Sequence, residues 1–290
     1  MKPRNVGQKA GSGTPGAIAP GIPLRVMTWN IRHGRGNDDR VDLDRIARVI
    51  VESGATLIGL QEMDRGGARS GRIDQAASLA RTLGMEARFV ANATFDPGDD
   101  RFEPHHYDVA ILSAHPIVAT EHRRLTNDFG WEQRGALAVT VDVGDGCRFT
   151  VVNTHLQWAG DDNEIACSRQ RAQQVAEVLA LARDRGGAAI VMGDFNAGPG
   201  SPELAAIDDP SSGFADAWRI ANPTAAGHTI PTSPTGEAGS RIDYLLTSDG
   251  LRVDAAEVDD TPTTRMASDH FPVWADVVLI DRPEVRPPAR

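Results

Sequence analysis

"AAIVMGDFNAGP", residues 188–199, is an apolar run that stops at polar residues and turn-formers. Ile190 and Val191 read as a buried strand, and Gly193-Asp194, Asn196 and Gly198-Pro199 read as its abrupt end. An Asp and an Asn two positions apart at one strand end say little alone. Other apolar runs in the chain end the same way. Asn30 follows "MTW", Glu62 follows "IGLQ", His155 follows "VVNT", Asp243 sits in "RIDYLL", and Asp269-His270 sit in "SDHFPVW". Gathered on one rim, these ends make a single acidic cleft carrying two imidazoles.

Working outward, strands are expected over 24–31, 56–62, 109–113, 136–143, 148–155, 188–194, 241–248 and 271–280. Helices are expected over 42–54, 74–84 and 169–187; in the first, Asp42 caps the start, Leu43, Ile46, Ala47 and Ile50 share a face, and Gly54 stops it. Strands outnumber helices and several follow one another directly. That pattern predicts an α+β fold with two sheets packed face to face and helices outside. Residues 1–22 are rich in Gly, Pro and Ala and lack a signal-peptide core, so they read as a tail. One domain is expected over 23–281, with 282–290 a second tail. The Pro/Thr/Gly-rich stretch 222–240 reads as a long loop inside that domain.

Composition bounds the function. The 290-residue chain is 40% hydrophobic and 24% charged, as ordinary globular proteins are. No run approaches the ~18 apolar residues of a membrane helix, so stable insertion is not expected. A formal charge of −10 opposes a long polyanion unless bound cations or a local basic patch offset it. Cys147 and Cys167, with no CxxC, read as inert thiols in a reducing cytoplasm. Nothing indicates an obligate protein partner. There is no HExxH, GxSxG or GxxxxGK[ST], which disfavours a zinc protease, a serine hydrolase and a P-loop enzyme. The oxygen-rich set of strand ends suits a hard cation such as Mg²⁺, with Mn²⁺ as a substitute.

In order, "TWNIRHG", "LIGLQEMDR", "VVNTHLQ", "VMGDFNAGPGSPE", "SRIDYLLTS" and "ASDHFPVWADV" span residues 28 to about 277. Together they resemble the endonuclease/exonuclease/phosphatase superfamily. The resemblance implies a four-layer α/β sandwich and Mg²⁺-dependent phosphoester hydrolysis. It implies Glu62 as the main metal ligand, with Asn30 and Asp269 beside it. It implies His155 as a charge-stabilising phosphate contact, Asn196 as a hydrogen-bond donor, and Asp243 as the partner orienting His270. Either Asp194 or His270 is the base. Where relatives carry a "YGNAILS"-like stretch, this chain has "YDVAILS", residues 107–113. Tyr107 is kept as a substrate contact, Asp108 stands where Gly is usual, and His105 and His106 are candidates to replace a lost contact.

The substrate is read from the loops. Arg32, His33, Arg65, Arg69 and Arg134 lie in loops expected near the metal, and Arg32 and Arg134 are the best phosphate candidates. Aromatics make up 5%, and no basic run interleaved with them is present, which favours a small or lipid-head-group phosphoester over DNA. A Mg²⁺-dependent nuclease and a silent scaffold are the alternatives; the full set of polar groups opposes the scaffold.

Overall fold

In a computed structural model describing residues 21–95, 104–144, 146–158, 163–231 and 239–280, the apolar runs become strands covered on both faces. The strands are β1 Ile22–Asn30, β2 Leu57–Arg65, β3 Glu86–Phe95, β4 His105–Ser113, β5 Ile117–Arg124, β6 Gly135–Asp142, β7 Arg148–His155, β8 Ala189–Asp194, β9 Phe214–Asp216, β10 Asp243–Ser248, β11 Leu251–Val258 and β12 Val273–Leu279. The helices are α1 Leu43–Ser53, α2 Gln75–Leu83, α3 Glu164–Asp184, α4 Ala205–Asp208, α5 Ala217–Ala221 and α6 Pro262–Ala267. One six-stranded sheet runs β11-β12-β1-β2-β4-β3, the other β5-β6-β7-β8-β10-β9. Both are mixed: β1 is parallel to β2 and β7 to β8, and the remaining pairs are antiparallel.

Alternation along the strands separates three cores. Val26, Leu57, Val139, Val151, Ile190 and Met192 fill the space between the sheets. Met27, Trp29, Ile58 and Leu60 face the other way, onto Ile46 and Ile50 of α1 and Leu79 of α2. Val152, Val191 and Leu246 meet Val175, Val178 and Leu179 of α3. The result is a four-layer α/β sandwich. Strands packed on both sides have no polar face, which is why they read as continuous apolar runs.

Local chemistry sets the ends. Asp42 accepts from Arg45 N and Gly54 closes α1 in the left-handed region, as expected. α3 begins earlier than 169, because Asn163 caps it by accepting from Ala166 N, and it ends at Asp184. Ile22 pairs with Leu279, so the domain starts before residue 23. Of the expected tails, 1–20 and 281–290 lie outside the described residues, as do 232–238 of the 222–240 loop. His105 and His106 belong to strand β4 rather than to a loop. Gly193 of the opening stretch has φ +148, and a Cβ there would sit 2.0 Å from the Thr154 carbonyl oxygen, so only glycine lets β8 reach Asp194.

Candidate active site

The two parallel pairs carry their C-terminal ends to one rim. Beneath it, Gln61 Nε2 donates to Asn153 Oδ1 at 2.6 Å, and Asn153 Nδ2 donates to the Leu60 and Ala110 carbonyls at 2.9 and 2.8 Å. These buried bonds hold the sheets in register one residue below Glu62 and two below His155. Above them, Asn30 Nδ2 donates to Glu62 Oε1 at 3.1 Å and to Asp194 Oδ2 at 3.0 Å, joining the two sheets through one amide. Asn30, Glu62, His155, Asp194, Asp243 and His270 therefore meet in one place.

The backbone is bent to present them. β2 carries a bulge against β4 between Leu60 and Met63, and Glu62 inside it has φ +58. β3 carries a second bulge against β4 at Asn92, between Ala91 and Ala93. Both bulges flank Asp108, itself at φ +152, a backbone setting that explains why glycine suits this position. The "SDH" segment is tied to β1: Ser268 Oγ donates to the Asn30 carbonyl at 2.8 Å, and Trp29 Nε1 donates to the His270 carbonyl at 2.9 Å.

Asp194 Oδ2 is the focus. Besides Asn30, His155 Nε2 lies 3.6 Å away and His270 Nε2 3.8 Å away. Asp194 Oδ1 accepts from Asn196 N at 2.9 Å, and Asn196 Nδ2 donates to the Leu156 carbonyl at 3.0 Å. His155 Nδ1 faces Arg134 Nη1 at 3.0 Å. A guanidinium only donates, so Nδ1 accepts and the ring proton sits on Nε2, toward Asp194. Burial, then the Arg134 charge, lower the His155 pKa to about 4 against the pull of Asp194 and Glu62, and the ring is neutral. His270 is the opposite case. Burial works to lower it, but Asp243, whose Oδ2 is 2.9 Å from Nδ1, together with Asp194 and Asp269, raises it to about 10. It is an imidazolium at neutral pH.

Other candidates sit at the margins. Arg134 is buried behind His155, 3.1 Å from Glu132 and 3.8 Å from Asp108. Arg32 Nε lies 3.4 Å from Asp269 Oδ2, and both side chains are substantially exposed. Tyr107 is buried, with Arg69 over its ring at 5.4 Å. Arg65 and Arg69 pair with Asp74 and Asp64, while His105 stacks on Phe95 and His106 Nδ1 meets Thr94 Oγ1 at 3.1 Å.

Asn92 and His122 escaped the sequence reading, and Asp108 entered it only as a departure from the family pattern. Asp108 Oδ1 is 3.3 Å from His155 Nδ1. Asn92 Nδ2 donates to Asp108 Oδ2 at 2.6 Å, and His122 Nε2 lies 2.6 Å from Asn92 Oδ1. Burial raises the Asp108 pKa to about 7 against Arg134 and Asn92. The available signal was a carboxylate opening the apolar run "DVAILS".

The donor set fits a divalent cation. Glu62 is half-buried, its Oε1 accepts from Asn30 Nδ2 at 3.1 Å, and carboxylate oxygens of Asp194 and Asp243 fall within 4.8 Å of each other. Carboxylate and amide oxygens dominate, as hard cations require.

The sequence profile of the Endonuclease/Exonuclease/phosphatase family matches residues 27–270, from β1 to the histidine of "SDH". The chain belongs to that family. An endonuclease/exonuclease/phosphatase from Beutenbergia cavernae DSM 12333 has TM-score 0.75 and 28% identity, covering 91% of this chain and 73% of that one. The human Nocturnin catalytic domain with bound sulfate anion has TM-score 0.63 and 21% identity over 88% of this chain and 94% of its own. A mannosyl-6-phosphatase from Bacteroides thetaiotaomicron VPI-5482 has TM-score 0.64 and 20% identity over 88% and 99%. The latter two likenesses speak for the fold. Endonuclease/exonuclease/phosphatase members are metal-dependent phosphoesterases, and this chain is a phosphoric ester hydrolase. Among its described residues no helix is long and apolar enough to cross a membrane.

Proposed function

We propose that this chain hydrolyses a small or head-group phosphoester, with Asp194 as the proton acceptor for the attacking water. The observation that carries the proposal is the convergence of Asn30, His155 and His270 nitrogens on one oxygen of Asp194. A divalent cation, Mg²⁺ or Mn²⁺, held by Glu62 with Asn30 and Asp269, supplies positive charge to the phosphoryl oxygens when bound. The chain's own groups do the rest. Asp194 takes a proton from water. The His270 imidazolium, held by Asp243, and the Nε2–H of His155 donate to oxygens that gain charge. Arg134 acts from behind, holding the His155 tautomer. Asn196, Arg32 and Tyr107 complete the substrate contacts.

Small substrates are favoured because the arginines of the rim are engaged. Arg65 and Arg69 each face a carboxylate, which leaves them poorly placed as a basic track for a polynucleotide. The buried thiols of Cys147 and Cys167, which form no disulfide with each other, support a reducing, cytoplasmic setting. The test is a panel of p-nitrophenyl phosphate, bis-p-nitrophenyl phosphate, head-group esters and DNA with Mg²⁺, against Asp194→Asn and Glu62→Gln. Turnover of small esters that both substitutions abolish supports the proposal. Cleavage of DNA alone makes the chain a nuclease, and turnover surviving both substitutions removes the site from consideration.

A further inference from the structure

Leu60 and Met63 of β2 are both fully buried in the core under α1 and α2, although they stand three positions apart. A regular strand turns such residues to opposite faces. The bulge resolves the conflict. Leu60 pairs with Ala110 and Met63 with Asp108, so two residues of β2, Gln61 and Glu62, oppose Val109 alone. In an unbulged strand Glu62 would share the face of Leu60, under the helices. Instead its Oε1 meets Asn30 Nδ2 at the rim, at 3.1 Å.

One side chain from the second sheet grips that bulge. Asn153 of β7 is fully buried, and its Nδ2 donates to the Leu60 and Ala110 carbonyls at 2.9 and 2.8 Å. These two residues are the last pair before the bulge. Carbonyls only accept, so the amide orientation is fixed and Asn153 Oδ1 is left facing a donor. That donor is Gln61 Nε2, inside the bulge, at 2.6 Å. Gln61 Nε2 also donates to Thr28 Oγ1 at 3.0 Å, and the Gln61 carbonyl accepts from Ile31 N at 3.2 Å. Gly59 leaves the room: a Cβ there would lie 2.9 Å from Asn153 Cγ. Apolar side chains of similar volume would fill this space without the cost of drying amides, so packing alone does not call for them.

We infer that Asn153 is a positioning residue for Glu62, holding the β2 bulge open from across the sandwich and so aiming the carboxylate; the inference rests on the proposed reading of Glu62 as the cation-binding group. Asn153→Leu keeps the volume and removes every bond. Gln61→Met is a milder variant that takes the donor from Asn153 Oδ1. Val139→Ala, in the same inter-sheet core on β6, is the control for lost stability alone.

Two measurements test the inference, each read beside the urea midpoint. Calorimetry shows Mg²⁺ bound about 10–100-fold more weakly by Asn153→Leu, less so by Gln61→Met, and unchanged in Val139→Ala. Amide exchange in the metal-free protein speeds up at residues 60–64 in the first two variants and not selectively in the third. Mg²⁺ affinity that Asn153→Leu and Gln61→Met leave intact, or that Val139→Ala weakens equally, overturns the inference. Should Asn153→Leu fail to fold, Gln61→Met against Val139→Ala decides it. If the unaltered chain binds no Mg²⁺, or Glu62→Gln binds it equally well, the cation reading fails and exchange decides the rest. Selective opening of 60–64 in Gln61→Met then keeps Asn153 as the anchor of the bulge, and unchanged exchange removes it.

Discussion

The two parallel strand pairs end on the same rim but are built in opposite ways. In the first sheet, β1 and β2 finish at Asn30 and Glu62; Glu62 is half-buried, set in a bulge and held by the Asn30 amide. In the second, β7 and β8 finish at His155 and Asp194, both almost fully buried, with Arg134, Asp108 and Asn92 behind the imidazole. On the proposed function, the difference separates two tasks. A carboxylate proposed to receive a cation must stay reachable. Groups that hold and move a proton must be dry and fixed, because orientation and charge state are set by their neighbours.

The sharpest break in this comparison is Glu62→Gln, which removes charge without volume. It lowers kcat/KM by about 10³-fold or more and weakens Mg²⁺ binding by calorimetry, with little change in the urea midpoint. His155→Ala lowers kcat/KM by about 10²–10³-fold and also costs about 2–4 kcal/mol of stability, since it strands buried Arg134 and Asp108. Urea denaturation of both variants decides the matter: if Glu62→Gln destabilises as much as His155→Ala, the two sides are not different in kind.

One ring on each side is also acid-sensitive. His155 and His33 have pKa values lowered to about 4, in both cases chiefly by burial and then by a neighbouring arginine, Arg134 or Arg69. Between the ordinary value near 6.5 and about 4, the unfolded chain binds protons that the folded rings refuse. These two rings therefore lower stability as pH falls through that window, on the order of 1–3 kcal/mol per ring, while buried Asp108, raised to about 7, takes up a proton on folding over the same range and offsets part of the loss. Urea midpoints at pH 7 and pH 5 measure the slope, and His33→Gln flattens part of it. The smallest expected effect sharpens the comparison furthest from the cleft. Asn92→Ala frees the Asp108 carboxylate and costs about 1–2 kcal/mol, with roughly tenfold lower kcat. Gly135→Ala reproduces the loss sterically, because its Cβ would lie 2.0 Å from Asn92 Oδ1.

What the sequence revealed follows the same physics. The eight strands it disclosed are the inner ones; β3, β5, β9 and β11, which it did not, are the four sheet edges. An inner strand such as β8 is buried along its whole length, so it is written in apolar residues. An edge strand such as β5, "IVATEHRR", alternates with solvent and carries charge that reads as loop. In the site, residues at strand ends were legible because polarity there contrasts with an apolar run. Asp108 was visible only as a departure from a pattern, and Asn92 not at all. Their roles depend on two bulges meeting across β4, which no local spacing encodes.

Glu62 occupies a backbone conformation that glycine adopts without cost and glutamate does not, a strain of about 1–3 kcal/mol. A library of this protein screened only for heat resistance will accordingly be drawn to position 62. The sturdiest survivors there will be glycine-bearing molecules that endure longer and turn nothing over.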